Sequence, residues 1–173
     1  MKQVRILVIG DEAVGKTSLI ERYVKETFLM NHSPTVINEY VKYSKYHELH
    51  IRDCSALPEF KSLRFLQYAE VDIILFCFNL ATIGTLDSLK SKWLPEVKEH
   101  CGNAIRILVG CKNDLDSIIN ESFIIKMQEH LKISKYVRCS AKTNENIDAV
   151  IATALNAVYL NNRLSVRKSI KKH

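Results

Sequence analysis

The chain has 173 residues, 47% of them apolar, a net charge of +6 and only five glycines. That length and apolar share fit one domain with a full core, and they exclude a disordered or collagen-like chain. No apolar run approaches the about 20 residues that a helical membrane span needs.

Residues 4–9 form a short β-branched run that predicts a buried strand ending at Gly10. Residues 16–25 place Leu19, Ile20, Tyr23 and Val24 on one face of a helix. Residues 28–34 read as a loop, and residues 36–46 and 48–53 as a strand hairpin. In its second strand Leu49, Ile51 and Asp53 share one face, with His50 and Arg52 on the other. Residues 71–80 predict a fully buried strand. A helix follows over 86–100, with Leu86, Leu89, Trp93 and Val97 in register. Residues 104–109 read as a strand, 118–131 as a helix, 136–137 as a short strand and 146–160 as a closing helix. Strands alternating with helices after one early hairpin predict an α/β three-layer fold. Its sheet is six-stranded and mostly parallel, with one antiparallel strand and helices on both faces.

Charge and cysteine placement narrow the setting. Arg163, Arg167, Lys168, Lys171 and Lys172 crowd the last eleven residues and leave the body nearly neutral. Residues 1–162 are therefore expected to be the folded domain and 163–173 a solvated basic tail. Such a tail gives at most weak, salt-sensitive contact with a membrane surface. Nothing in the body suggests a nucleic-acid partner. The five cysteines are Cys54, Cys77, Cys101, Cys111 and Cys139, without CxxC or Cys/His metal spacing. Reduced thiols, a cytoplasmic location and a monomer are expected.

The segment Gly10-Asp11-Glu12-Ala13-Val14-Gly15-Lys16-Thr17 fits G-x-x-x-x-G-K-[ST], between a predicted strand and a predicted helix. Inward-facing N–H groups and a helix N-terminus make an anion nest there. Lys16 adds a full charge for the phosphates, and the Thr17 hydroxyl can ligate Mg²⁺. Alone, this motif implies a nucleoside triphosphate. Two further segments, Cys111-Lys112-Asn113-Asp114 and Cys139-Ser140-Ala141-Lys142, follow later strands. Loops at the carboxyl ends of strands in such a sheet face one pocket.

In this order the motifs resemble the Ras superfamily of small GTPases, over nearly the whole chain. The resemblance implies GTP/GDP and Mg²⁺ as ligands, with Thr17, Thr35 and Asp53 around the metal. It implies that residues 12–18 (Glu12, Ala13, Val14, Gly15, Lys16, Thr17 and Ser18) and Ala56 meet the phosphates. Phe28, Lys112, Asp114, Ser140, Ala141 and Lys142 would hold the base. Asp114 would accept from the guanine N1–H and 2-amino groups, a donor pair that adenine lacks. Effectors and exchange factors would dock near residues 30–40 and 55–68, in signalling, trafficking or cytoskeletal regulation. Pro34-Thr35-Val36, Asn38-Glu39-Tyr40 and Lys92-Trp93-Leu94-Pro95-Glu96 look Rho-like. The 23 residues between Leu115 and Cys139 leave no room for the helix that Rho proteins usually insert, so a divergent Rab remains the other candidate.

Three departures bear on turnover. Where relatives read Asp-x-x-Gly-Gln-Glu, this chain reads Asp53-Cys54-Ser55-Ala56-Leu57-Pro58. Leu57 cannot orient a water as the family glutamine does. Ala56 replaces the permissive glycine, and Glu12 puts an acid where relatives have a small residue. Slow or absent GTP hydrolysis is the expectation. The alternatives are a scaffold whose nucleotide is structural or absent, and another P-loop enzyme. Cys111 stands where relatives have Asn or Thr, which suggests a weaker tie between the base loop and the phosphate loop.

Overall fold

Alternate residues of each central strand enter two different cores. A computed structural model describes residues 2–30 and 35–170, with side chains described up to residue 162. Pro34 and the side chains of Arg163, Arg167, Lys168, Lys171 and Lys172 lie outside the described residues.

Among those described, six strands form one sheet: β1 (Lys2–Ile9), β2 (Ile37–Tyr43), β3 (His47–Cys54), β4 (Ile73–Asn79), β5 (Ile105–Cys111) and β6 (Tyr136–Arg138). Their spatial order is β2-β3-β1-β4-β5-β6, with only the β2–β3 pair antiparallel. The expected architecture holds.

On one face Val4, Ile6 and Val8 of β1 join Ile73, Leu75 and Cys77 of β4. They meet Leu19 and Ile20 of α1 (Lys16–Lys25), and Val150, Ile151 and Ala154 of α6 (Ile147–Ile170). On the other face Leu7, Ile9, Ile74, Phe76 and Phe78 meet Tyr68, Leu86, Leu89, Trp93 and Ile124. The strand period of two sorts the side chains into the three layers.

The remaining helices correct the sequence reading in detail. A 3₁₀ turn (Pro58–Phe60) and α2 (Lys61–Leu66) fill a segment with no predicted element. The expected helix over 86–100 is α3 (Ile83–Ser88), a π turn (Leu89–Trp93) and α4 (Leu94–Cys101). Pro95 near the start of α4 has no N–H to give, which breaks the regular ladder there. The expected helix over 118–131 begins only at α5 (Glu121–Leu131). Asn120 caps it, its Oδ1 accepting from Ser122 N at 2.9 Å. α6 runs ten residues beyond the predicted end at 160. Gly110, expected to end its strand, lies inside β5, where a Cβ would come within 2.9 Å of the Tyr136 hydroxyl.

Candidate nucleotide-binding site

The loop after β1 turns on residues that accept positive φ. Gly10 has φ +141° and lies so close to β4 that a Cβ would stand 2.1 Å from the Cys77 carbonyl oxygen. Gly15 has φ +113° and opens α1. Ala13 is also left-handed, at φ 58°. Alternating backbone handedness of this kind turns consecutive N–H groups to one side. The Lys16 ammonium, almost fully buried, donates to Gly10 O at 3.0 Å and Asp11 O at 2.7 Å. Burial lowers its pKa from the ordinary lysine value, and the Asp53 carboxylate opposes that. Trp93 Nε1 donates to Asp11 Oδ1 at 2.9 Å, so the end of the π turn props the loop from behind.

The three residues expected around a metal meet in space. Thr17 Oγ1 donates to Asp53 Oδ2 at 2.6 Å and lies 3.0 Å from Thr35 Oγ1. Asp53 is fully buried and its Oδ1 makes no hydrogen bond. Burial raises the Asp53 pKa above the usual carboxylate value, against the Thr17 hydrogen bond and Lys16. A desolvated carboxylate with an unused oxygen beside two hydroxyls suits a hard dication such as Mg²⁺.

The base side is built by two loops locked together. Asn113 N donates to Cys139 O at 3.0 Å, and the Asn113 amide donates to both Glu145 carboxylate oxygens at 3.0 Å. Ser140 Oγ donates to Asp114 Oδ1 at 2.5 Å, and Lys142 Nζ lies 4.0 Å from Asp114 Oδ2. Lys112 holds a left-handed φ of 61°. Arg22, in the last turn of α1, donates from Nε to Ala141 O at 2.7 Å and from Nη2 to Lys142 O at 3.4 Å. Its guanidinium also stands 5.8 Å from the Phe28 ring centroid.

Between these three parts lies one cavity of about 490 Å³, within the range for small-ligand sites. Of the expected residues, Glu12, Ala13, Gly15, Lys16, Thr17, Ser18, Phe28, Thr35, Asp53, Ala56, Lys112, Asp114, Ala141 and Lys142 line it. Val14 and Ser140 do not. Val14 is fully buried in the core, and Ser140 acts through Asp114. Leu29, Met30 and Leu115 line the cavity and were not anticipated. Arg22 and Trp93 were missed as positioning residues because their partners lie 119 and 82 positions away in sequence.

The segment after Asp53 is tied down from the helices. Arg64 Nη1 donates to Ser55 O at 2.8 Å and Leu57 O at 3.4 Å, and Lys92 Nζ to Ala56 O at 3.1 Å. Arg64 and Glu96 form a buried bidentate pair at 2.7 and 3.0 Å, joined by the Tyr68 hydroxyl at 2.8 Å. Ala56 lines the cavity at an ordinary negative φ, so alanine fits this backbone without strain. Leu57 is half-buried and off the cavity wall, and Glu12 is exposed at the rim. Arg52 donates to Gln67 O at 2.9 Å and Ala69 O at 2.8 Å, fastening the end of α2 to the sheet. Burial, with Asp53 alongside, pushes the Cys54 thiol up to about 12, which argues against a reactive role there.

A stability prediction arises from the buried pair. Arg64→Ala strands a buried carboxylate and is expected to cost about 3–5 kcal/mol in denaturant unfolding. Burial alone would raise the Glu96 pKa, but Arg64 and Tyr68 together hold it below the usual range. A lowered folded-state pKa gives stability that is complete above the unfolded value, about 4.3, and is lost as pH falls through the folded value. The wild-type advantage over Glu96→Gln should therefore shrink only in acid, below about pH 4.

Taken together, a glycine loop with its lysine, a hydroxyl–carboxylate cluster and two base-facing loops sit at the carboxyl edge of a mostly parallel sheet. They define a P-loop nucleotide-binding domain of the G-domain type. The Ras family model matches residues 5–160, and the chain belongs to the Ras family of small GTPases. It is Rho-like in its relatives. It is 33% identical over 165 residues to a GTP-binding protein (RHO4) of Saccharomyces cerevisiae, covering 89% of this chain and 57% of that one. A Rho-related protein (racE) of Dictyostelium discoideum is 32% identical, covering 90% of this chain and 77% of its own length. A Rho-related GTP-binding protein (RhoE) of Homo sapiens is 32% identical, covering 82% and 66%. The chain thus spans less than two thirds of the first and third of these relatives. No helix among the described residues is long and apolar enough to cross a membrane. β5 and α5 follow one another with no helix between them, as the short spacing implied.

Proposed function

We propose that the chain is a guanine-nucleotide switch protein that holds GTP or GDP with Mg²⁺ and hydrolyses GTP very slowly. The observation that carries this reading is a division within one site. The binding groups Lys16, Thr17, Thr35, Asp53 and Asp114 all line the cavity, whereas the turnover positions are occupied by Glu12, Ala56 and Leu57. Mg²⁺, when bound, supplies positive charge to the phosphates. Lys16 and the loop N–H groups bind and orient them, and Asp114 selects the base. Glu12 at the rim repels the γ-phosphate charge and obstructs a partner's arginine. Leu57 has no polar atom with which to position water. Recovery of guanine nucleotide with the purified protein, and of unhydrolysed GTP after loading, tests the proposal. Effectors and exchange factors would dock near residues 30–40 and 55–68, where Val36, Leu63 and Leu66 are exposed.

A scaffold reading draws on the ties from Arg64 and Lys92, which hold residues 55–57 to the helices. Folded protein that carries no nucleotide and takes up none when offered would favour it.

Arg22 supports the binding half of the proposal. Cys111 offers only a weak thiol where relatives use an amide or hydroxyl, and Arg22 supplies a charged tie to the base loop instead. Charge-assisted hydrogen bonds contribute about 1.5–3 kcal/mol. Arg22→Ala is expected to speed GDP dissociation by roughly tenfold or more. Fluorescent-nucleotide release in the presence and absence of Mg²⁺ checks it, and the fold-change should be the same in both because the tie is on the base side.

A further inference from the structure

Three thiols meet beneath the nucleotide cavity: Cys77 from β4, Cys111 from the end of β5 and Cys139 just after β6. All three belong to one buried core cluster. Cys111 also abuts the phosphate loop, its Cβ 3.4 Å and its Sγ 3.9 Å from where a Gly15 Cβ would stand. Cys111 and Cys139 line the cavity, at 3% and 1% exposed, and Cys77 does not. β5 and β6 run parallel with Gly110 opposite Arg138, so Cys111 and Cys139 face each other one step further on. Cys139 N donates to Gly110 O at 2.8 Å, which holds the two backbones at ladder spacing. Adjacent strand positions lie within the Cα range that a disulfide accepts.

We propose that Cys111 and Cys139 are a modification site for a small hydroperoxide, reached through the nucleotide cavity and shielded when the cavity is filled. Only the shielding rests on the nucleotide-binding reading. The Cys111 sulfur attacks a peroxide oxygen, the O–O bond breaks, and a sulfenic acid and water form. The Cys139 sulfur then displaces that hydroxyl. The S–S bond forms, the S–O bond breaks, and the Cys139 proton leaves with hydroxide as a second water. Two thiols lose two electrons and one hydrogen peroxide is reduced to two waters.

The neighbouring Cys139 and then Cys77 thiols, with Lys16 and Lys112 nearby, hold the Cys111 pKa below the ordinary thiol value against burial, which suits it as the attacking thiolate. The other four are all raised: Cys139 and Cys77 by Cys111 and by burial, Cys101 by burial to about 11 and Cys54 by burial to about 12. Closing an S–S bond of about 2.05 Å draws the two sulfurs, and the loops that carry them, together. Cys111 adjoins Lys112-Asn113-Asp114 and Cys139 adjoins Ser140-Ala141-Lys142, so the crosslink displaces both base-holding loops. Guanine-nucleotide affinity is expected to fall at least tenfold.

The test compares chelator-stripped protein with GDP·Mg²⁺-loaded protein, occupancy being measured first by nucleotide elution. Each is treated with dilute hydrogen peroxide and mapped by peptide mass spectrometry without reduction. The expected result is a Cys111–Cys139 crosslink in the stripped sample, at least tenfold slower in the loaded one. The crosslink should be absent in Cys111→Ser and unchanged in Cys101→Ser, with folding of each checked by circular dichroism. A crosslink between other cysteines, none in the stripped sample, or equal rates at confirmed GDP occupancy would overturn the proposal. If GDP never binds, the nucleotide reading fails, and the shielding with it. The stripped sample still decides the thiol site.

Discussion

Asp114→Ala is expected to lower affinity for GDP and GTP by about 10²- to 10⁴-fold, while the protein stays folded. The carboxylate would accept two hydrogen bonds from the guanine edge, each charge-assisted and contributing about 1.5–3 kcal/mol. Asp114 is positioned for that by the Ser140 hydroxyl at 2.5 Å, and its side chain lies at the cavity wall outside both cores. Isothermal titration with GDP in Mg²⁺ checks the loss, and a melting curve of the nucleotide-free form checks the fold. Ser140→Ala should give a smaller loss in the same direction, since it removes the positioning bond and leaves the acceptor.

Reverting Glu12, Ala56 and Leu57 together, as Glu12→Gly, Ala56→Gly and Leu57→Gln, is expected to raise GTP hydrolysis by about 10²-fold. Misplacing an attacking group by an ångström costs a factor of that order. Leu57→Gln alone should recover less than about tenfold. Arg64 and Lys92 still hold the backbone carbonyls of residues 55–57, and Glu12 still crowds the rim. Stimulation by a partner's arginine, which is worth about 10³–10⁵ in this chemistry, should return only in variants lacking Glu12. Single-turnover hydrolysis of bound GTP separates these cases.

Much of this was legible in the sequence because the relevant signals are local. A β-branched apolar run in β1 and alternation in β3 announce strands, and G-x-x-x-x-G-K-T announces the phosphate loop. The three residues expected around the metal meet within hydrogen-bond distance, because the parallel sheet brings the ends of β1 and β3 side by side. What escaped depends on distance along the chain. α2 is six residues long and follows a proline, too short for a helical period to register. The sequence places the start of α5 too early because Ile118 and Ile119 continue its apolar pattern past the Asn120 cap. Arg22 and the Arg64–Glu96 pair are ordinary surface types in sequence, and Trp93 reads there only as part of its helix's apolar face. Only the fold carries them to the Ala141 carbonyl, to Asp11 and to the carbonyls after Asp53. In sequence Cys111 is only a weaker tie, and the packing of β4, β5 and β6 is what groups it with two other thiols.

The central claim is retention of the binding groups with loss of turnover. It is tested most directly by loading the purified protein with GTP and Mg²⁺ and identifying the bound nucleotide over several hours. An intrinsic rate of about 3–5 × 10⁻⁴ s⁻¹, as in Ras, converts half the GTP in about half an hour. The prediction is that guanine nucleotide stays bound and remains predominantly GTP after many such intervals. Conversion to GDP within the first hour, or failure to retain any guanine nucleotide, would contradict it.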